Sequence, residues 1–258
     1  MIKARNLFLI FLTISLLFSC ANHQLTTTEA KIILSNIENN INNPTFNFPT
    51  KIAINKLYRK GESLTNRVNI RFSLNDYYYY YSEGLNSSKS TIKWVFAEES
   101  TKIVYYFVSK PSENDENKIN LYCSKVNEAY SDYFKNIYNI LKDYINEAIE
   151  TGNSKIDEYT NLANEYNFSE TQSAKLDITS SDEYSIDLDA NVSLKSLVLN
   201  YHLQYKNSLP IATTLYKKVN DIEDDNYETK YYYDRCNVTK PNINDFIESP
   251  DAFKQIKR

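Results

Sequence analysis

The feature that most constrains the fold is a change of hydrophobic period along the chain, from strands to helix and back. Segments rich in Val, Ile, Tyr and Phe, separated by polar turn-like residues, predict five consecutive antiparallel strands in the first half. An apolar stripe at helical spacing then runs from Val126 to Ile149, and Gly152 is predicted to end this helix. A second helix is predicted from a cap at Ser154, and strands then return. This order is typical of an α+β fold.

The predicted strands form two runs around the helices. The first run comprises residues 51–58, 67–82, 91–97, 102–109 and 118–123, and the second comprises 174–179, 184–189, 196–205, 211–219 and 227–236. Before them, the spacing of Ala30, Leu34 and Ile41 predicts an amphipathic helix with Thr28 as its N-cap, which ends before Pro44. Each helix has one apolar stripe, so we expect the sheet to cover helices 28–41 and 126–150.

Composition excludes several classes of protein. The three glycines, Gly61, Gly84 and Gly152, are far apart, which excludes a phosphate loop, a dinucleotide fingerprint and a nucleophile elbow. The formal net charge is −4, with both signs interspersed, so nucleic acid is not an expected partner. The chain has no Pro-, Gly- or Ser-rich linker, so we expect a single domain over residues 28–258.

The first twenty residues have the features of an export signal. Lys3 and Arg5 precede an apolar run over residues 7–17, which is too short to span a bilayer, and Ser19-Cys20 ends it. The segment resembles a bacterial lipoprotein signal peptide. That resemblance implies removal of residues 1–19, lipidation of Cys20, a tether over residues 20–27, and anchoring of the exported protein to a membrane. Residues 21 and 22, Ala and Asn, favour the outer membrane.

The closing strands carry a second resemblance. Residues 201–205 (Tyr-His-Leu-Gln-Tyr) lead through the turn 207–211, which ends in Leu-Pro-Ile, into 212–219, and the Tyr-rich run 231–234 leads through Val238 to Pro241. This pattern, with the order of elements, is similar to the LolA and LppX type of exported lipid-handling proteins. The resemblance implies a strongly curved, open antiparallel sheet, a half-barrel, wrapped around the N-terminal helix and the central helical insert.

The same resemblance implies that an apolar ligand, such as a lipid, binds between sheet and helices. We expect its walls to be aromatic and aliphatic residues on one face of each element. They are Phe72, Leu74, Tyr78, Tyr80, Trp94, Phe96, Tyr130, Phe134 and Ile137. The alternative is a surface-exposed interaction or structural lipoprotein with a filled core, which meets a protein partner through the loops 86–89, 112–118 and 221–226. A cavity of several hundred Å³ would favour the carrier over this alternative.

No residue pattern predicts catalysis, a cofactor or a metal site. His202 has no motif around it, and Asp187 and Asp189 share a strand face that we expect to be solvated. The acidic residues at 221 and 223–225 lack the spacing of a calcium loop and predict a solvated turn. We therefore do not expect an enzyme.

Two cysteines remain once Cys20 is assigned to lipid. Cys123 and Cys236 would form a disulfide in an exported domain, or would be two separate small buried residues. The sequence leaves both alternatives open. Neither histidine is near either cysteine in sequence, so a zinc site is not expected.

Overall fold

The structure is a computed structural model. It describes residues 26–85, 90–98, 100–101, 103–112, 115–127, 130–167, 174–180, 183–192, 197–220, 222–223, 225–237, 239–240 and 242–252. The predicted signal peptide and the lipidation site Cys20 lie outside these ranges. The loop 86–89 and parts of the loops 112–118 and 221–226, offered above as interaction surfaces, lie outside them too.

The first helix, α1, spans Thr27–Asn42. Its N-cap is Thr26 rather than the predicted Thr28, because Thr26 forms a capping box with Glu29. The Thr26 backbone N–H donates to the Glu29 carboxylate at 2.8 Å, and the Glu29 N–H donates to the Thr26 hydroxyl at 3.2 Å. Asn43 has extended geometry just before Pro44, so the helix ends where the proline predicts.

Six strands, rather than five, precede the long helix. They are β1 (Lys51–Lys60), β2 (Ser63–Ser73), β3 (Tyr78–Glu83), β4 (Thr91–Glu98), β5 (Ile103–Ser112) and β6 (Asp115–Asn127). Each pairs antiparallel with the next. The predicted strand 67–82 is wrong, because a tight turn divides it. The Tyr77 N–H donates to the Leu74 carbonyl, Tyr77 has a φ of 50°, and the Ser73 hydroxyl donates to Asp76.

The second helix, α2, is continuous over Tyr130–Tyr166. It begins later than predicted, because Val126 belongs to β6 and lies opposite Val104. The predicted stop at Gly152 is wrong. Gly152 is buried within the helix, where an added Cβ would lie 2.9 Å from a Leu203 methyl and 3.0 Å from a Leu34 methyl. This glycine therefore allows α2 to pack closely against both the sheet and α1.

Seven closing strands lie in the described ranges. They are β7 (Ala174–Ser180), β8 (Glu183–Val192), β9 (Leu197–Lys206), β10 (Leu209–Val219), β11 (Ile222–Glu223), β12 (Asp225–Tyr233) and β13 (Ile247–Glu248). Of these, β7, β8, β9, β10 and β12 agree with prediction to within a few residues, whereas the two-residue strands β11 and β13 were not predicted. In the described ranges all thirteen belong to one open sheet, with β12 between β10 and β1. The sheet is mixed rather than antiparallel throughout, because β13 runs parallel to β6.

The apolar side chains form two clusters on the two faces of the sheet. The larger one buries the inner stripes of α1 and α2 against strands from both halves of the sheet, including Leu34, Ile145, Ile54 and Leu203. The smaller one lies on strands β3 to β6 and contains Tyr78, Phe96, Phe107 and their neighbours. The fold is therefore α+β, with both helices on one face of the sheet. Within the described ranges, no helix combines the length and apolar content needed to cross a bilayer.

Candidate functional site

The predicted ligand-binding residues do not share one wall. Phe72, Leu74 and Ile137 lie in the large cluster beneath the helices. Tyr78, Tyr80, Trp94 and Phe96 lie in or against the small cluster on the opposite face. The side chains of Tyr130 and Phe134 lie outside the described residues, although both positions belong to the first turns of α2.

The turn after β2 explains this separation. In one continuous strand, residues 72, 74, 78 and 80 would all point to one face, because side chains alternate with a period of two. The hairpin instead places Phe72 opposite Tyr79, and Ser73 opposite Tyr78. Directly opposed residues share a face, so Tyr79 joins Phe72 beneath the helices and Tyr78 points away from them.

A C-terminal segment covers the small cluster. We call residues 234–252 the C-terminal strap. It leaves β12 with a hydrogen bond of 2.8 Å from the Asp234 N–H to the Lys51 carbonyl, and Tyr78 donates its hydroxyl to the Thr239 carbonyl at 3.3 Å. The Phe246 ring then packs edge-on against Phe107 at 4.3 Å between ring centroids.

The strap ends on the outer edge of β6. Ile247 and Glu248 pair with Tyr122 and Cys123, and the Ser249 N–H donates to the Cys123 carbonyl at 2.7 Å. The strap therefore crosses strands β3 to β6, and side chains fill the space beneath it. An open polar groove of about 780 Å³ lies near its start, between the strap and the ends of the strands. The groove is lined by Lys51, Asp76, Cys236, Asn237, Thr239 and Lys240.

Both cysteines are buried free thiols, so the alternative of a disulfide is wrong in this structure. Cys123 is on β6, whereas Cys236 lines the groove with Asp76, just before β3. Three strand spacings separate β3 from β6, roughly 14 Å in all. A disulfide tolerates a Cα separation of about 7 Å at most. Burial raises the pKa of the Cys123 thiol to about 11, which keeps it protonated at neutral pH.

A pocket with both polar and apolar lining lies between α2 and the inner face of the sheet, and we call it the α2 pocket. Its floor is a row of three polar side chains on neighbouring strands: Thr213 on β10, Thr229 on β12 and Lys56 on β1. Thr213 and Lys56 both lie directly opposite Thr229. The three residues are only 3%, 5% and 7% exposed, respectively. Polar residues thus occupy positions on the inner, buried face of the sheet. On the same face of β1, the position two residues before Lys56 is filled by the apolar Ile54.

Aromatic rings and a helix complete the α2 pocket. Tyr58 and Tyr227 are directly opposite each other, with ring centroids 6.5 Å apart, and Tyr231 lies on the far side of Thr229. Glu147, Ala148 and Thr151 of α2 form the roof. The volume of the pocket is about 190 Å³, and two of the three roof residues, Ala148 and Thr151, have small side chains.

One ion pair dominates the electrostatics of the α2 pocket. Lys56 Nζ donates to both carboxylate oxygens of Glu147, at 2.6 and 2.5 Å, and lies 5.3 Å from the centroid of the Tyr144 ring. The Lys56 side chain is 9% exposed and that of Glu147 is 50% exposed. The lysine is therefore buried and the carboxylate sits at the rim. The pair adds little net charge to the pocket.

The tyrosines of the α2 pocket are neutral hydrogen-bonding groups. Burial raises the pKa of Tyr58 and of Tyr227, and the negative charge of Glu147 raises both pKa values further. Among the described residues, the Tyr227 hydroxyl is buried and has no hydrogen-bond partner. The hydroxyls of Tyr201 and Tyr205, also buried, are unpaired in the same way. Tyr227 lines the α2 pocket, whereas Tyr201 and Tyr205 are not among its lining residues.

Sequence reasoning did not predict the α2 pocket, although one signal for it was present. Ile52, Ile54, Lys56 and Tyr58 occupy alternate positions of β1, so a lysine interrupts the inward-facing residues. Nothing in the sequence pairs this lysine with Glu147, 91 positions away. The threonines at 213 and 229 give no signal, since threonine suits both faces of a strand.

The residues considered for acid–base chemistry form a polar ladder on the outer face of β8 and β9. Asp187 lies directly opposite His202, and Asp189 directly opposite Asn200. His202 Nδ1 contacts Asp187 Oδ1, and the hydrogen bond to Asp187 raises the pKa of His202. Asn200 donates to Asp189 at 2.7 Å. In the described part of the chain, no three His, Cys, Asp or Glu side chains are arranged to hold a metal ion.

No family model and no curated protein sequence matches this chain. The case for a function therefore rests on the geometry of the described residues. Two features of that geometry bear on it: a helix-covered face with a large cluster of buried side chains and the small α2 pocket, and exposed polar side chains on the outer face of β8 and β9.

Proposed function

We propose that this chain is an exported lipoprotein, anchored through Cys20, whose folded body is an interaction module at the outer membrane surface rather than a lipid carrier. One observation carries the choice between these two functions. Buried side chains pack between the helices and the described part of the sheet, and the α2 pocket among them has a volume of about 190 Å³. Ligand pockets for larger apolar molecules typically measure about 300–1,000 Å³ and are lined by apolar side chains.

The signal-like N-terminus supports the anchoring part of the proposal. Lipid chains on Cys20 would tether the body to the membrane, since each buried CH₂ contributes about 0.8 kcal/mol. The tether over residues 20–27 ends where α1 begins, at Thr27. α1 lies with α2 on the helix-covered face, which leaves the opposite face of β8, β9 and β10 for contacts with a partner.

The outer face of β8 to β10 is the surface that we propose for a protein partner. Asp189 and Asn200 are exposed there, and the Tyr216 ring is 37% exposed on β10. Tyr216 lies directly opposite Asn200, so an aromatic ring adjoins the polar ladder. Tyrosine among hydrogen-bonding side chains is typical of protein-binding surfaces.

We also propose that the sheet curves around the helices as an open half-barrel. Two observations support the curvature. The large cluster joins both helices to inward-facing residues from both halves of the sheet, from Val104 on β5 to Ile186 on β8. In addition, β12 connects the two halves by pairing with β1 on one side and β10 on the other. A flat sheet of this width would carry its outer strands beyond the reach of two helices.

Metabolic labelling tests the anchor. With radioactive palmitate, we expect the wild-type protein and the matched control Cys123→Ser to be labelled and Cys20→Ser to lose the label. Cys123 is a buried thiol, so its replacement leaves the proposed acceptor intact. Continued labelling of Cys20→Ser would overturn the assignment of the anchor.

Native mass spectrometry tests whether the protein carries a lipid, and surface proteolysis tests whether its folded body is exposed at the cell surface. For protein purified without detergent from a Cys20→Ser strain, we expect the mass of the polypeptide alone. A stoichiometric lipid adduct would favour the lipid carrier over the interaction module.

In intact cells expressing the wild-type protein, we expect added protease to digest the exposed body while a soluble periplasmic control protein survives. Protection equal to that of the control would exclude a surface module.

A further inference from the structure

We propose that the α2 pocket is a binding site for a small neutral polyhydroxylated molecule, of about the size of one sugar ring. The inference goes beyond the proposed function and does not depend on it, because the pocket lies beneath α2 whereas the interaction surface is on the opposite face of the sheet. It rests on the chemistry of the floor, the charge balance, the aromatic walls and the volume.

The floor concentrates polar groups where a core needs apolar ones. Burying a hydroxyl without a hydrogen-bond partner costs about 1–3 kcal/mol. The hydroxyl-bearing Thr213 and Thr229 form the floor of the pocket beside Lys56, and their residues are 3% and 5% exposed. A ligand that both donates and accepts hydrogen bonds would satisfy such groups.

Charge balance selects against ionic ligands. Lys56, the basic residue of the pocket, gives two hydrogen bonds to Glu147, so its charge is already compensated. An anionic ligand would have to compete with the Glu147 carboxylate. A cationic ligand would meet the Lys56 ammonium. A neutral molecule avoids both costs.

The walls suit a ring with hydroxyl groups at its edge and C–H groups on its faces. Tyr58 and Tyr227 present tilted rings with an interplanar angle of 51°, and Tyr231 presents a third ring across the floor. Aromatic faces pack against the C–H groups of such a ring. The volume of about 190 Å³ equals the liquid volume of roughly six waters at about 30 Å³ each, which limits the ligand to one ring.

Ligand-observed NMR tests this site. The probes are D-glucose and D-galactose, with gluconate and glucosamine as anionic and cationic controls. We expect saturation transfer from the full mature protein to a neutral sugar and weaker transfer to both charged controls. If neither neutral sugar receives saturation transfer, the pocket holds only water and the proposal is overturned. Equal transfer to all four probes would overturn the proposed class of ligand.

Three variants connect binding to the pocket. Ala148→Leu fills the volume, and the double variant T213V/T229V removes the floor hydroxyls while keeping the shape of the side chains. We expect each to weaken sugar binding by about tenfold or more, which corresponds to a loss of about 1.4 kcal/mol. The control is Thr214→Val, next to Thr213 but on the opposite face of β10, and it should bind like the wild type. Unchanged binding in T213V/T229V would overturn the site even if Ala148→Leu did not fold.

Discussion

The charged groups of Lys56 and Glu147 differ in burial, so they differ in how much each needs the other as a hydrogen-bond partner. Lys56 is enclosed by Tyr144, Thr229 and the helix, while half of the Glu147 side chain remains in solvent. Removing the carboxylate would leave a buried ammonium without its main acceptor, whereas removing the ammonium would leave a carboxylate that water can solvate. Removing one partner of a buried pair is costly when the remaining charge stays buried.

We therefore predict that Glu147→Gln destabilises the protein more than Lys56→Met does. A charged hydrogen-bonded group contributes about 1.5–3 kcal/mol, so Glu147→Gln should lower the free energy of unfolding by that amount. Replacing the lysine by an apolar side chain of similar length should change it by less than about 1 kcal/mol. Urea denaturation at neutral pH measures both, and the reverse order would show that the lysine is not the buried partner.

His202 gives the protein a pH dependence whose sign can be worked out. Its pKa is raised by the hydrogen bond to Asp187, in spite of partial burial. A raised pKa in the folded state means that the stabilisation is complete below the unfolded value of about 6.5 and is lost as pH rises through the folded pKa. We expect the melting temperature to fall from pH 6 towards pH 8.5, and this fall to be smaller in His202→Gln.

The matched control for His202 is a neighbouring exposed charge. Lys206→Gln changes a residue on the same strand, and its pH dependence should match that of the wild type. The His202–Asp187 pair is partly exposed, so its effect on the melting temperature should be modest and should weaken further at high salt. A pH dependence that is identical in His202→Gln and the wild type would assign it to other groups.

Sequence reasoning was weakest for the ligand-binding wall because of one turn. Phe72 and Tyr80 both have even numbers, and a continuous strand would place them on the same face. The run of five tyrosines has high strand propensity throughout, so local composition hid the turn at Asn75 and Asp76. The polar floor was missed for a different reason, since a contact such as Lys56–Glu147 depends on tertiary packing.

Among the elements, α2 shows where pattern and packing diverge. The apolar stripe in the sequence predicted a helix, and Gly152 was interpreted as its end, whereas the helix continues to Tyr166. Glycine is common just after helices, which favours a stop, but the same residue also serves where two elements approach closely. The closing strands β8, β9 and β10 were predicted well, because an alternating pattern with one buried face identifies a strand without tertiary information.

We predict that Gly152→Ala lowers stability although it improves helix propensity. Alanine gains about 1 kcal/mol over glycine in a helix, but overpacking a core typically costs about 1–3 kcal/mol. The new methyl would meet Leu203 and Leu34, both fully buried, so we expect a net loss of about 1 kcal/mol. Ser154→Ala, at an exposed site two residues on, should leave stability unchanged or slightly higher. Equal stabilisation by both changes would contradict close packing at Gly152.

At the scale of the whole molecule, β12 is the strand on which the two halves depend. It pairs with β1 of the first run and with β10 of the closing run, and Tyr231 extends from it into the large cluster. The helices reinforce the connection, because α2 contributes buried residues along most of its length. These contacts support the expectation of a single domain over residues 28–258.

We expect the folded body to unfold in one cooperative transition. Differential scanning calorimetry should show a single peak whose calorimetric enthalpy equals the van't Hoff enthalpy. Thr229→Pro, which places a proline in the interior of β12, should lower the whole transition rather than split off one part. Two separated peaks in the wild type would mean that the two strand runs are independent units.

The C-terminal strap has an optical consequence. Trp94 is the only tryptophan in the chain, and the Phe246 ring of the strap packs against its edge at a centroid distance of 6.2 Å. Indole emission shifts to longer wavelengths when water reaches the ring, so the fluorescence of the unlabelled protein reports whether the strap is seated. Loss of Phe246 alone should shift that spectrum while leaving the buried α2 pocket unperturbed. Trp94 therefore reports on the strap-covered face of the sheet, and no second tryptophan contributes to the signal.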